Sequence, residues 1–413
     1  MSGGAAGLVD LEADLSRWLV SHGLDEDDEG ALLGGFCDRL VAAGIPISRV
    51  ASGSGLLHPV LDARGWRWLR GAGLEGEEYE RARWEEPGRE DQWRRSPFHY
   101  LHESKGTELR RRLGHNYEQG EFPMLDDFVR AGCTDYVAFA VRFGDASAMA
   151  EVEGMMLSLQ TDREGGFDDA EIGLFRRVVP LFGLAYKAII GVHTSRVLLE
   201  TYLGADPARR VLQGAIERGK AETIQAVLWF SDLQGFTRIA DTAPKDQILE
   251  LLNDYADCLV TTIAAHQGEV LKFMGDGILA IFPTHEVSPC GRALDAAEAA
   301  LGHIDRLNER RAKAGLPFTG VHLALHVGEV LYGNIGSRER LDFTVVGPAV
   351  NEVSRIEAMC RNIDQRVVIS SAFAEAAGEQ RRRLVSLGRY ALRGVRRPEE
   401  LFTLDPEPAA VAA

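Results

Sequence analysis

The 413-residue chain is short of lysine, of paired cysteines, of long apolar runs and of positive charge. Its five cysteines (Cys37, Cys133, Cys258, Cys290 and Cys360) include no pair at CxxC spacing, which argues against a zinc ribbon or a disulfide framework and for buried thiols. No stretch reaches the ~20 apolar residues of a spanning helix; the best candidate, residues 178–192, is shorter and carries Lys187. The N-terminus, Met-Ser-Gly-Gly with acidic residues soon after, lacks the basic segment of a secretory signal. The expectation is a cytoplasmic protein with no membrane partner. With 46 Lys and Arg against 62 Asp and Glu the net charge is −16, which disfavours nucleic acid as a partner. It does not disfavour a nucleotide that arrives with a metal ion, because the ion inverts the local field. Only Lys105, Lys187, Lys220, Lys245, Lys272 and Lys313 are lysines, so a lysine inside a motif stands out.

What is present is ordinary globular composition, 45% hydrophobic and 26% charged, in a chain long enough for two or three domains. Residues 1–28 read as a helix with Leu8, Leu11, Leu15, Trp18 and Leu19 on one face. The acidic run at 25–29 suits the cap of a second helix reaching about residue 43. Strand patterns follow at 48–57 and 60–69, then a polar, Trp- and Arg-rich segment at 75–95. Helical stretches are expected near 107–113 and at 124–131, strands at 136–143 and 154–161, and a long helix from residue 168 or 169. This order, closing on GGFDDAEIGLFRRVVPLFGLAYKAI, resembles a GAF sensory domain over 29–190, which implies an α/β sensor for a small molecule or other signal. A generic α+β domain would show the same order, and no motif names the ligand. His99, His102 and His115 read as surface or core histidines, and nothing around Cys133 suits a tethered chromophore. Val178, Leu181, Ala185, Ala188, Val192, Ser195, Leu199 and Tyr202 recur at spacings of three and four, as in a coiled-coil seam or one packed helix face. Residues 191–221 then form a helical connector, broken at Gly204 and Pro207. Strands and helices alternate through 222–405, and 406–413 is a frayed tail.

Two carboxylates carry the chemistry. Asp232 follows the strand AVLWF, and Asp276 lies in a Gly-Asp-Gly turn between strands at 269–273 and 278–282. Strand-end carboxylates beside glycine suit Mg²⁺ when substrate phosphates complete its shell, although each alone is an ordinary turn former. Around them stand FSDLQGFT at 230–237, LKFMGDG at 271–277 and FTVVGPAVNEVSRIE at 343–357, in that order. These resemble the motifs of the class III nucleotidyl cyclase family over nearly all of 222–404. The resemblance implies an α+β, ferredoxin-like palm fold and a phosphorus–oxygen lyase that turns ATP into cyclic AMP and pyrophosphate, a reaction that asks for positioning and charge neutralisation. It implies two Mg²⁺ or Mn²⁺ ions on Asp232, Asp276 and the backbone carbonyl of Leu233. It also implies phosphate contacts from Gly235, Phe236, Thr237 and, by a weaker match in ALRGV, Arg393. Asn351 would orient the ribose and Arg355 would stabilise the α-phosphate; they are spaced i,i+4 on one helix face.

Base choice rests by the same resemblance on Lys272 and Thr344. Adenine offers an acceptor at N1 and a donor at N6, which a lysine ammonium and a threonine oxygen match; guanine would set donor against donor. ATP is therefore the expected substrate. The Lys–Thr pair resembles the subgroup that includes bicarbonate-responsive cyclases, and Glu329 stands where some mammalian-type domains have a phosphate-contacting arginine. The family builds each site between two catalytic domains, so a chain with one implies a homodimer. Two readings stay open beside this one, a guanylate cyclase and a nucleotide-binding signalling module with a decayed site.

Overall fold

The computed structural model describes residues 2–25, 28–81, 89–114, 117–144, 154–284, 288–392 and 398–405. Its contacts divide the chain into two units, residues 1–198 and 199–413.

The first unit opens with helices α1 (Ser2–Asp25) and α2 (Glu29–Ala42), and the acidic run does cap α2: the Asp28 carboxylate accepts from the Ala31 amide at 3.0 Å. There follow β1 (Arg49–Gly55), β2 (Leu61–Leu69), β3 (Gly73–Glu80), α3 (Arg89–Arg94), α4 (Pro97–Ser104), β4 (Glu108–Arg112), α5 (Pro123–Arg130), β5 (Asp135–Arg142), β6 (Gly154–Thr161) and α6 (Asp169–Leu203). The six strands form one antiparallel sheet in the order β3-β2-β1-β6-β5-β4. The pleat of β5 shows how the sheet serves two cores. Val137 and Phe139 join Leu15, Phe36 and Phe182 of the helices, whereas Tyr136 and Ala138 join Leu101 of α4 and Leu125 of α5.

One expectation needs correction here. Residues 107–113 are not helical: ELRRR is composed of good helix formers, but Leu109 is buried and the segment pairs with β5 as an edge strand. The polar segment from 75 begins as a strand, β3, whose run of exposed glutamates is the kind of charge that keeps a sheet edge from pairing with another chain.

Helix α6 is, by length and composition, apolar enough to cross a bilayer, which the shorter run at 178–192 did not suggest. Half of its most apolar window is buried, however, with Val178, Phe182, Tyr186 and Ile189 in the core of the first unit, as in the core helix of a packed domain. Beyond Ile190 the expected seam changes character: Val192 and Tyr202 are 54% and 79% exposed.

The second unit contains α7 (Ala205–Leu212), β7 (Ala221–Leu233), α8 (Phe236–Thr242), α9 (Lys245–Ala265), β8 (Glu269–Met274), β9 (Gly277–Pro283), α10 (Pro289–Lys313), β10 (Val321–Gly336), β11 (Leu341–Val346), α11 (Pro348–Asn362), β12 (Val367–Ser370), α12 (Ser371–Ala376), β13 (Leu384–Tyr390) and β14 (Glu399–Leu404). Seven strands run in the order β13-β14-β12-β10-β7-β9-β8, and β11 pairs with β10. One face of the sheet packs on Tyr255 and Leu259 of α9, Leu294 of α10 and Phe373 of α12; the other packs on Val353 and Ile356 of α11. The break between α6 and α7 falls at Gly204, whose φ of +90° a side chain would resist. Strand β10 is long, running from Val321 through Gly328 to Gly336. A Cβ at Gly328 would lie 2.5 Å from Ala349 Cβ, so the bare position lets α11 sit on the strand.

Candidate active site

Asp232 is the penultimate residue of β7, one residue after Ser231, which pairs with Ile278 of β9; Asp276 sits in the turn that joins β8 to β9, where Gly275 takes φ +69°. Local sequence therefore makes each turn, and sheet pairing brings the two carboxyl groups to the same end of the domain. Burial first, and then the adjacent Asp276, push the Asp232 carboxyl up to about 6. Two acids side by side are a place where a cation would be stabilising. Among the described residues no three His, Cys, Asp or Glu side chains converge as a metal cage. The pair instead suits Mg²⁺, which takes one or two carboxylates and completes its shell with water and substrate phosphates.

A third carboxyl group, not singled out from the sequence, faces this pair. Glu357 of α11 is buried, and burial together with the charge of Asp232 pushes it up to about 7. Its Oε1 lies 3.8 Å from Nδ1 of His322, the residue opposite Asp232 in the β7–β10 register. The available signal was a glutamate on the same helix face as buried Val353, Ile356 and Cys360.

Lys272 of β8 is about one-third exposed, and its Nζ lies 3.6 Å from Oδ2 of Asp342 on β11. Thr344 is two residues along the same strand and so on the same side as Asp342. It is 4% exposed, and its Oγ1 has no hydrogen-bond partner. A buried hydroxyl without a partner costs about 1–3 kcal/mol, and a ligand that bonds to it would recover that cost.

Asn351 and Arg355 are both on the exposed face of α11. Among the described residues neither side chain has a hydrogen-bond or ion-pair partner within the chain, and the neighbour of Asp232 and Glu357 on this helix is Arg361 instead. Leu233 ends β7 opposite Val321, and Gly235, in the left-handed region at φ +63°, leads into α8 through Phe236 and Thr237. Glu329 is exposed on β10. Arg393 lies outside the described residues, as does His115.

Comparison with known proteins places this geometry. Residues 220–406 match the family described as the adenylate and guanylate cyclase catalytic domain. An uncharacterized protein of Mycobacterium tuberculosis is 31% identical over 242 residues, 57% of this chain and 42% of that one. The adenylate cyclase of Anabaena cylindrica is 34% identical over 161 residues, 38% of this chain and 32% of its own length. The chain thus spans well under half the length of these relatives. Among solved structures, a bacterial light-regulated adenylyl cyclase aligns over 61% of this chain and 80% of that one at 19% identity and TM-score 0.48. The guanylyl cyclase Cya2 aligns over 45% and 93% at 28% identity and TM-score 0.40. Residues 220–406, which include Asp232 and Asp276, are thus similar in sequence to the adenylate and guanylate cyclase catalytic domain.

Proposed function

We propose that the chain is an adenylate cyclase, converting ATP to 3′,5′-cyclic AMP and pyrophosphate as a homodimer under the control of a GAF-like sensor over residues 29–190. The observation that carries the choice of ATP is the Lys272 ammonium on the strand beside buried Thr344, whose Oγ1 has no partner in the chain. Adenine meets both groups: Lys272 donates to N1 and Thr344 accepts from N6. Guanine would leave Lys272 facing an N1–H donor, a mismatch of the kind that separates substrates strongly, while the Thr344 hydroxyl, which can also donate, fits either base.

Asp232 and Asp276, with the Leu233 carbonyl, hold two divalent ions, Mg²⁺ or Mn²⁺, which would activate the ribose 3′-hydroxyl and neutralise the triphosphate. Asn351 orients the ribose so that its 3′-oxygen lines up on the α-phosphorus, and Arg355 offsets the charge that gathers on the α-phosphate oxygens. The main chain from Gly235 to Thr237, together with Arg393, receives the outer phosphates. Because Asn351 and Arg355 face away from the chain's own packing, they serve the carboxylates of the second protomer. The test is incubation of the purified chain with Mg-ATP, Mn-ATP and then GTP, with chromatography of the products. Cyclic AMP as the main product is expected. Cyclic GMP in equal yield would overturn the base assignment, and no cyclic product would leave a nucleotide-binding module.

A further inference from the structure

The segment that follows α6 takes hold of the catalytic sheet at one strand. Asp206 of α7 is 7% exposed, and its Oδ2 accepts the Tyr332 hydroxyl at 2.9 Å. Arg210 Nε donates to the same oxygen at 2.6 Å, its guanidinium lies 5.0 Å from the centre of the Tyr332 ring, and Arg209 pairs with Oδ1. Burial and the Asp206 charge both raise the Tyr332 phenol, so it stays a donor at any working pH. Two residues along β10, Asn334 is gripped as well. Its Nδ2 donates to Ala215 O at 2.6 Å, its amide donates to Lys220 O at 3.1 Å, and its carbonyl accepts from Gly219 N at 3.0 Å.

The strand beyond gives these contacts their meaning. In the β10–β11 register Tyr332 faces Val345, Gly333 faces Thr344 and Asn334 faces Phe343. The connector therefore holds the two residues that bracket the partner of Thr344. The Tyr332 ring also packs edge-on against Phe343 at 4.9 Å and 88°, so the grip reaches the base strand through side chains as well as through the ladder. Asp232, by contrast, lies near the end of β7 opposite Ala221, where the connector joins it. A cavity of about 420 Å³ lies beside this contact, lined by Asp206, Arg210, Glu222, Glu269, Ile281 and Tyr332.

We propose that Asp206 and Tyr332 are positioning residues through which the connector sets Thr344, and with it the affinity for the nucleobase, leaving the metal chemistry alone. This rests on the reading of Lys272 and Thr344 as the base-recognition pair. A signal that moves α7 would then act on KM for ATP and on the ATP-to-GTP preference before it acts on kcat.

Tyr332→Phe in the full chain removes the hydroxyl and keeps the ring. KM for Mg-ATP should rise about fivefold with kcat within about twofold, and the ATP-to-GTP ratio of kcat/KM should fall. Phe343→Leu, which interrupts the same path at its second step, should do likewise. Because the two act in series, the double variant should differ little from either single one. An unchanged KM in both variants, a fall in kcat alone, or full additivity would each overturn the proposal. Equilibrium binding of 3′-deoxyATP, which cannot cyclise, keeps the two readings apart. A wild-type chain that makes no cyclic AMP overturns the cyclase reading, whereas a Kd for 3′-deoxyATP that Tyr332→Phe leaves unchanged overturns the positioning role.

Discussion

Asp232 and Asp276 are in contact, and the first keeps its proton up to about pH 6 because burial and the second acid disfavour its charge. The sign of the linked stability follows. A carboxyl held above its ordinary range favours the folded state while protonated, and that contribution is lost as pH rises through about 6. Asp276→Asn removes the repulsion, so without a divalent ion it should raise Tm, and more at pH 7.5 than at pH 5. The same substitution should abolish the Tm gain from Mn²⁺ and lower cyclic AMP formation by more than tenfold, or more than ~1.4 kcal/mol of transition-state stabilisation. Calorimetry with and without Mn²⁺ checks the first part; activity within tenfold of wild type would defeat the metal role. Lys272→Glu tests the base in the same spirit. ATP turnover should fall strongly, and a donor side chain at Thr344 in addition should move preference towards GTP. An ATP-to-GTP ratio that Lys272→Glu leaves where it was would remove Lys272 from recognition.

Helix α6 is continuous from Asp169 to Leu203, and its character changes partway. Up to Ile190 most of its apolar side chains lie in a core, Leu184 at 62% exposure being an exception; after it, Val192 and Tyr202 are exposed. If that second stretch pairs with its copy in a parallel coil, one residue inserted after Ile190 turns everything beyond it by about 100°. Basal activity or its regulation should change sharply, while a seven-residue insertion, which nearly restores the seam, should be milder. Equal effects of the two insertions, measured as cyclic AMP formation, would make α6 a plain tether.

At the scale of the whole molecule the proposed dimer would divide the site. The carboxylate pair lies at the end of β7, and Asn351 and Arg355 are exposed on α11 without partners among the described residues. A two-fold dimer would bring one chain's α11 to the other's carboxylates. Asp276→Ala and Asn351→Ala homodimers should each be inactive. In a mixed dimer one site collects both defects and the other neither, so equal mixing with subunit exchange should restore roughly a quarter of wild-type activity. Heterodimers shown to form without any restored activity would mean that each site is built within one chain.

The sequence by itself determined the pieces whose geometry is local. The Met274–Gly277 turn forms because Gly275 accepts φ +69°, the cap of α2 forms because Asp28 reaches its own helix, and Asp232 and Asp276 lie at strand ends, as the sequence pattern placed them. Tertiary structure alone decided whatever depends on segments far apart in the chain. It made ELRRR a strand, since β5 needed a partner on its open edge more than five residues needed their helix propensity. It set Glu357 against Asp232, tied Asp206 to Tyr332 across more than a hundred residues, and left Thr344 Oγ1 buried without a bond. Periodicity reports which face of an element is apolar. Which other element that face meets is settled by packing and, in the proposed dimer, by a second copy of the chain for Asn351 and Arg355.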